Sequence, residues 1–231
     1  MVMLLLFLGN NTSAQPQENI SKREKQRKVV SLDELERNLE NPVRLKDMQP
    51  DRVIDVFGVK NGEIVADIGA GTGFFTFRLA NKVGPAGRVF AVEIEDQLLD
   101  FIRRKMDKNK VTNIIPIKSS DPAPNLPPAI CDKIFVAGSY YYFPDSVLFM
   151  SNARKALKPG GLVAVVDLEN AKYKVKPKKF ALTDQIGTAA GVIDEMKKAG
   201  FTLRESHDFL KFRFFLVFSA SEEASQTAPL K

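Results

Sequence analysis

The stretch Val65-Ala66-Asp67-Ile68-Gly69-Ala70-Gly71-Thr72-Gly73 constrains the fold of this 231-residue chain more than any other. The apolar run Glu63 to Ile68 ends at three glycines in alternate positions. From Phe74 to Val83 the residues Phe75, Leu79 and Val83 then recur at helical spacing. A short apolar run bounded by glycines is a buried strand, so the segment reads as strand, tight turn, helix. Glycine gives such a turn its left-handed backbone and leaves room for a ligand close to the main chain. In an open α/β sheet the turn presents backbone N–H groups at the carboxyl edge, where ligands bind.

The flanking sequence repeats the alternation. Strands are expected at Arg88–Glu93, Asn113–Ile117, Lys133–Ala137 and Leu162–Leu168, and helices at Asp96–Lys108 and Asp145–Leu157, the latter closed by Lys158-Pro159-Gly160-Gly161. That order predicts an α/β fold, a mostly parallel sheet with helices on both faces. After a helix at Thr188–Lys198, the strands Phe201–Phe209 and Phe212–Phe218 are joined by too short a link for a parallel crossover. They should form an antiparallel hairpin and bring the sheet to seven strands. Ahead of the glycine turn, Ser31 and Glu34 make a capping box for one helix, and Pro50–Phe57 reads as another. Residues 1–28 are expected to be a flexible tail with an export-like segment: Met3 to Leu8 is apolar and Thr12-Ser13-Ala14 resembles a cleavage site, but no basic residue precedes the run. The run is too short to span a bilayer as a helix, which leaves weak membrane association through the N-terminus open. Residues 29–218 form the globular domain, and 219–231 a polar tail.

Details of the turn separate the nucleotides that such a turn serves. The dinucleotide fingerprint is G-x-G-x-x-G, whereas the spacing here is G-x-G-x-G and Phe74 stands where the third fingerprint glycine belongs. No Gly-Lys-Ser/Thr follows, which excludes a P-loop. Asp67 ahead of the glycines repels a pyrophosphate but attracts a cationic amino group. Twenty residues past Gly73, Glu93 ends the second strand, where a carboxylate accepts hydrogen bonds from ribose hydroxyls.

These residues resemble the first signature motif of class I S-adenosylmethionine-dependent methyltransferases. Leu157-Lys158-Pro159-Gly160-Gly161 before a strand is similar to that family's late motif, and the closing hairpin to its reversed seventh strand. The resemblance covers Gln49 to Phe218. It implies a Rossmann-like methyltransferase fold with S-adenosyl-L-methionine as cofactor. By position it implies that Asp67, Gly69 and Gly71 hold the methionine end and Glu93 the ribose, with Ala70 and Gly73 also binding the cofactor. Ile94 would pack on the adenine, and Ser120 and Asp121 would contact it, although Asp121 is followed by an unusual run, Pro122 to Pro128.

Methyl transfer from a sulfonium is an in-line displacement, so positioning and desolvation supply much of the acceleration. A base is needed only when the acceptor must lose a proton, and the sequence names none clearly. The candidates are Tyr140 and Tyr141 in Gly138-Ser139-Tyr140-Tyr141-Tyr142, and His207, the single histidine. Glu205-Ser206-His207-Asp208-Phe209-Leu210, followed by Phe214 to Phe218, resembles the ending of a subgroup of small bacterial methyltransferases that carry export-like N-termini. Asp167 and Asn170 are residue types that ligate metals in divalent-metal O-methyltransferases. Those enzymes also need an acid where Gly138 stands, so no metal is expected. The single cysteine, Cys131, excludes an intrachain disulfide and argues against arsenic methylation; it reads as a small buried residue. The formal charge of +6 is spread among interleaved acids and bases, unlike a nucleic-acid footprint. The expected activity is methyl transfer to a small-molecule acceptor in the cytoplasm, where the cofactor is made. The alternative is a cofactor-binding module without turnover.

Overall fold

The computed structural model describes residues 31–169 and 187–221. The N-terminal tail and its export-like segment, Asn170, and the tail beyond Ser221 lie outside the described residues.

Seven strands form one sheet: β1 (Ile64–Ile68), β2 (Arg88–Glu93), β3 (Ile114–Lys118), β4 (Cys131–Ala137), β5 (Leu157–Leu168), β6 (Phe201–His207) and β7 (Arg213–Ala220). Their order is β3-β2-β1-β4-β5-β7-β6. β1 to β5 pair in parallel, and β7 runs antiparallel to both β5 and β6. This is the expected Rossmann-like arrangement, hairpin included. Chain order reverses between β1 and β4, the switch point at which open α/β sheets form their ligand crevice.

Seven α-helices accompany the sheet among the described residues: α1 (Leu32–Leu39), α2 (Pro42–Met48), α3 (Pro50–Val56), α4 (Thr76–Val83), α5 (Asp96–Asn109), α6 (Ser146–Arg154) and α7 (Ala189–Lys198). Strand alternation sends Val65, Val89, Phe135, Val166 and Phe215 to one face, where Met48, Val53, Leu79 and Ile102 cover them. Ile68, Val92, Ile134, Val165 and Leu216 go to the other, under Phe149, Met150 and Met196. The central strands are apolar on both sides because helices remove both faces from water.

Several elements differ from the sequence expectation, each for a local reason. α2 has no counterpart in that expectation; Asn41 caps it by accepting the Val43 N–H at 2.9 Å, and Pro42 opens its first turn. α6 ends at Arg154 rather than at Leu157. There Lys155 and Ala156 turn their carbonyls to the N–H groups of Ala129, Ile130 and Cys131, and Leu157 pairs with Cys131. Leu157 to Gly161 therefore opens β5 instead of closing a helix. β6 stops at His207, and β7 continues to Ala220, with Ser219 opposite both Leu162 and Thr202. Cys131 is buried, and burial pushes its thiol up to about 12, which makes it inert.

Phe135 is fully buried in β4 and packs against Phe75 and Phe57, with ring centroids 4.7 and 6.0 Å away. Phe135→Ala removes a side chain that joins the central strand to α3 and the glycine turn. Urea unfolding should register a loss of about 3–5 kcal/mol; a loss under about 1 kcal/mol would show that this layer collapses into the space.

Candidate functional site

The site is built where β1, β4 and β2 end. Gly69, Gly71 and Gly73 all have positive φ, at 77°, 57° and 85°. The first is irreplaceable for a packing reason. A Cβ on Gly69 would collide with Cβ of Ser139, whose hydroxyl donates to the Ile68 carbonyl at 2.8 Å. The start of the turn and the end of β4 are thus pressed together across the switch point. Gly69 and Ala70 both donate to the Val92 carbonyl, at 2.9 and 3.1 Å, which secures the turn to β2. Gly71 is different: a Cβ there would meet no atom within 4 Å. Its glycine leaves an open cradle beside the backbone.

Glu93, nearly buried at 7% exposure, organises the second wall. Oε2 accepts the Gly71 N–H at 2.8 Å; Oε1 accepts the N–H groups of Ile94 and Glu95, at 2.7 and 3.2 Å. One carboxylate therefore ties the glycine turn to the loop that enters α5. Two oxygens offer about four acceptor sites in all, and these three bonds leave one at Oε2, on the Gly71 side. Ile94, next along, is 51% exposed at this edge, an apolar surface suited to a planar ring.

Asp67 lies beneath the turn at 3% exposure, its Oδ2 accepting the Thr76 hydroxyl at 2.6 Å. Burial raises its pKa from 3.8 to about 7, the Thr76 bond opposing and the Glu93 charge adding to the rise. The ionised form is thus held at a cost that an arriving cation would relieve.

The expected site residues divide into groups. Asp67, Gly69, Ala70, Gly71, Gly73, Glu93 and Ile94 come together around one turn. Ser120 and Asp121 follow β3 and are exposed, in a loop attached to the edge by the Ser119 N–H bond to the Glu93 carbonyl at 2.9 Å. Tyr140 is buried at 1% exposure in the layer under α6 and α7. Its hydroxyl sits beside the Ser146–Glu195 pair without a well-formed bond, and burial raises its pKa further from neutrality. That places the Tyr140 hydroxyl in the core rather than in the crevice. The Tyr141 ring lies against Gly187, and burial likewise raises its hydroxyl. Tyr142 is the exposed one, at 54%. His207 lies tilted against Phe215 with centroids 4.8 Å apart, and its Nε2 is 3.0 Å from Glu205. It shares the sheet face of Phe215, opposite to the face of Asp167, which pairs with Phe214.

Sequence reasoning gave Thr76, Ser139 and Arg44 no role and weighed Asp167 only as a metal ligand. Asp167 carried a signal, an acid ending a valine-rich strand at the ligand edge. The Ser139 contact with Gly69 carried none, since it spans 70 positions of chain. A polar cleft lined by Glu36, Arg104, Lys105 and Lys108 lies between α1 and the far end of α5. α5 begins at the carboxyl edge and runs away from it, so this cleft is remote from the glycine turn.

A family model described as a methyltransferase domain matches residues 59–209, from the lead into β1 through the end of the β6 turn. The chain belongs to the methyltransferase-domain family. Within it, the chain is of the class I, S-adenosylmethionine-dependent kind. It is 28% identical over 130 residues to the ubiquinone/menaquinone biosynthesis C-methyltransferase UbiE of Shewanella sp. (strain W3-18-1), over 56% of this chain and 52% of that protein. The chain thus matches about half the length of such relatives. Among solved structures, a SAM-dependent methyltransferase from Aquifex aeolicus superposes with a TM-score of 0.73 at 23% identity, covering 81% of this chain and 97% of that one. Geranyl diphosphate C-methyltransferase from Streptomyces coelicolor A3(2), solved with Mg2+, geranyl diphosphate and S-adenosyl-L-homocysteine, superposes with a TM-score of 0.63 at 15% identity, over 79% and 81%. These two likenesses concern the fold. No helix among the described residues of this chain is long and apolar enough to cross a membrane.

The raised Asp67 pKa yields a paired prediction. Folding binds a proton to Asp67 more tightly than the unfolded chain does, so this group makes the ligand-free protein less stable as pH rises from about 4 through about 7. At pH 8, Asp67→Asn should raise the melting temperature and, if the ionised acid pairs with the cofactor's ammonium, weaken S-adenosylmethionine binding. Wild-type affinity should fall severalfold from pH 8 to pH 6, and that fall should vanish in the variant. Equal pH dependence in both proteins would remove Asp67 from the binding electrostatics.

Proposed function

We propose that this chain binds S-adenosylmethionine at the glycine turn and transfers its methyl group to a small-molecule acceptor lying over the ends of β4 and β5. The observation that carries the reading is the Glu93–Gly71 link beside an open cradle, at the switch point of a chain that belongs to this family.

The residues fit the cofactor in three respects. The space at Gly71 accepts a group against the backbone. The remaining acceptor capacity of Glu93 suits a ribose diol. Asp67 is a buried anion whose ionised form a cationic amino group would restore. Bound there, the cofactor supplies a methyl group on a positively charged sulfur. The chain's own residues orient that group and exclude water, with the Ser139–Gly69 contact setting the floor of the crevice. The relatives named for ubiquinone and menaquinone biosynthesis make acceptors from such routes the first to assay. Nothing in the geometry favours a module without turnover over the enzyme. The cytoplasm, where S-adenosylmethionine is made, is the proposed location.

Calorimetry with S-adenosylmethionine, S-adenosylhomocysteine and NAD tests the reading: the first two should bind and NAD should not. Glu93→Ala should weaken S-adenosylhomocysteine binding by about 1–3 kcal/mol, the scale of charge-assisted hydrogen bonds. Tight NAD binding without S-adenosylmethionine binding would sink the reading, and an unchanged Glu93→Ala affinity would take Glu93 out of the site.

A further inference from the structure

The carboxyl edge holds another buried acid that the cofactor reading leaves unused. Asp167 stands near the end of β5 at 6% exposure. It accepts the N–H of Leu168 at 2.7 Å and that of Tyr140 at 3.3 Å. Tyr140 follows Ser139, the residue pressed against Gly69, so the acid and the glycine turn hold the two sides of the β4 end. β4 alone separates β1 from β5. Asp67 is level with Ala164 through Phe135, and Asp167 lies three residues further along β5. With neighbouring strands about 4.8 Å apart and a rise of about 3.3 Å per residue, the backbones at Asp67 and Asp167 stand roughly 14 Å from each other. That gap suits a methyl donor over β1 and an acceptor over β5.

The charges around Asp167 narrow the acceptor. Arg213 at the start of β7 and Arg44 on α2 act on it as cations. Tyr141 and Tyr142, in the turn after β4, feel its negative charge, and Tyr141 also that of Glu169 and Glu195. Arg213 and Arg44 partly offset the acids Asp167, Glu169 and Glu195 here. A hydroxyl that becomes an oxyanion would be stabilised by these two cations, and the half-exposed Tyr142 ring offers a planar acceptor a surface to stack on.

We propose that Asp167 is the proton acceptor in the transfer and that the methyl acceptor is a phenol- or enol-type hydroxyl, an inference that rests on the methyltransferase function above. The hydroxyl proton passes to the Asp167 carboxylate while the oxygen lone pair forms the new bond to the methyl carbon. The carbon–sulfur bond breaks with its electron pair remaining on sulfur, giving a neutral thioether, a methyl ether and a protonated Asp167 that returns its proton to water. Burial raises Asp167 to about 6, against the pull of Arg213 and Arg44, which leaves it ionised yet basic in neutral solution.

The test uses the full chain, S-adenosylmethionine, and two probes: hydroquinone and 4-nitrophenol, the latter largely ionised at pH 8. Asp167→Asn should lower thioether release with hydroquinone by about 10²–10⁴-fold and far less with 4-nitrophenol, which has no proton left to give. Wild-type kcat/KM for hydroquinone should rise through about pH 6, a limb absent in Asp167→Asn and retained in Asp167→Glu. Calorimetric affinity for S-adenosylmethionine should be unchanged in both variants. Equal losses with the two phenols, an unaltered hydroquinone rate, or a wild type that binds cofactor but methylates neither phenol would each overturn the proposal. A wild type that does not bind S-adenosylmethionine would overturn the function reading itself.

Discussion

The Glu93 carboxylate is the interaction on which the edge of the sheet depends. Three backbone N–H groups from two loops converge on its oxygens, so the turn after β1 and the turn after β2 cannot move independently. Such charge-assisted bonds in a nearly buried setting are stronger than neutral ones and costly to leave unmade. The second brace is steric, the approach of Ser139 to Gly69 that only a residue without Cβ permits. Together they hold three strand ends in one arrangement before any ligand arrives, the kind of preorganisation that saves ordering cost on binding.

The same edge concentrates acids in a protein whose formal charge is +6. Asp67, Glu93, Asp167 and Glu169 are all buried there, at 3, 7, 6 and 8% exposure. Burying carboxylates disfavours their charged forms, and both Asp67 and Asp167 are shifted upward by it. Stability alone would place neutral side chains at these positions. Their presence at the ligand edge is the signature of a site in which strain on the empty protein is relieved by a cationic or proton-bearing ligand.

Much of this was legible in the sequence, for physical reasons that differ from element to element. β1, β2 and β4 are apolar runs bounded by glycine or turn residues, so periodicity found them, and the short link expected between Phe209 and Phe212 could only make an antiparallel hairpin. Asp67, the glycines and Glu93 are local motifs, and their gathering followed from strand–turn–helix geometry. What escaped depended on tertiary partners. Leu157 to Gly161 has the composition of a helix stop, yet the chain entering β4 draws it into β5. α2 fully buries only Met48, too little of an apolar face for periodicity to reveal. The three tyrosines look alike in sequence, and only packing separates the buried Tyr140 from the exposed Tyr142. Asp167 has no motif around it; its meaning comes from Tyr140, Arg44 and Arg213, all remote in sequence.

The central claim is that the glycine turn and the end of β2 form one S-adenosylmethionine cradle. Amide chemical shifts of the full chain, followed while S-adenosylhomocysteine is added, test it most directly. The account predicts saturable shifts centred on Gly69, Gly71, Gly73 and Ile94. Shifts confined to the cleft between α1 and α5, or none at saturating ligand, would contradict it.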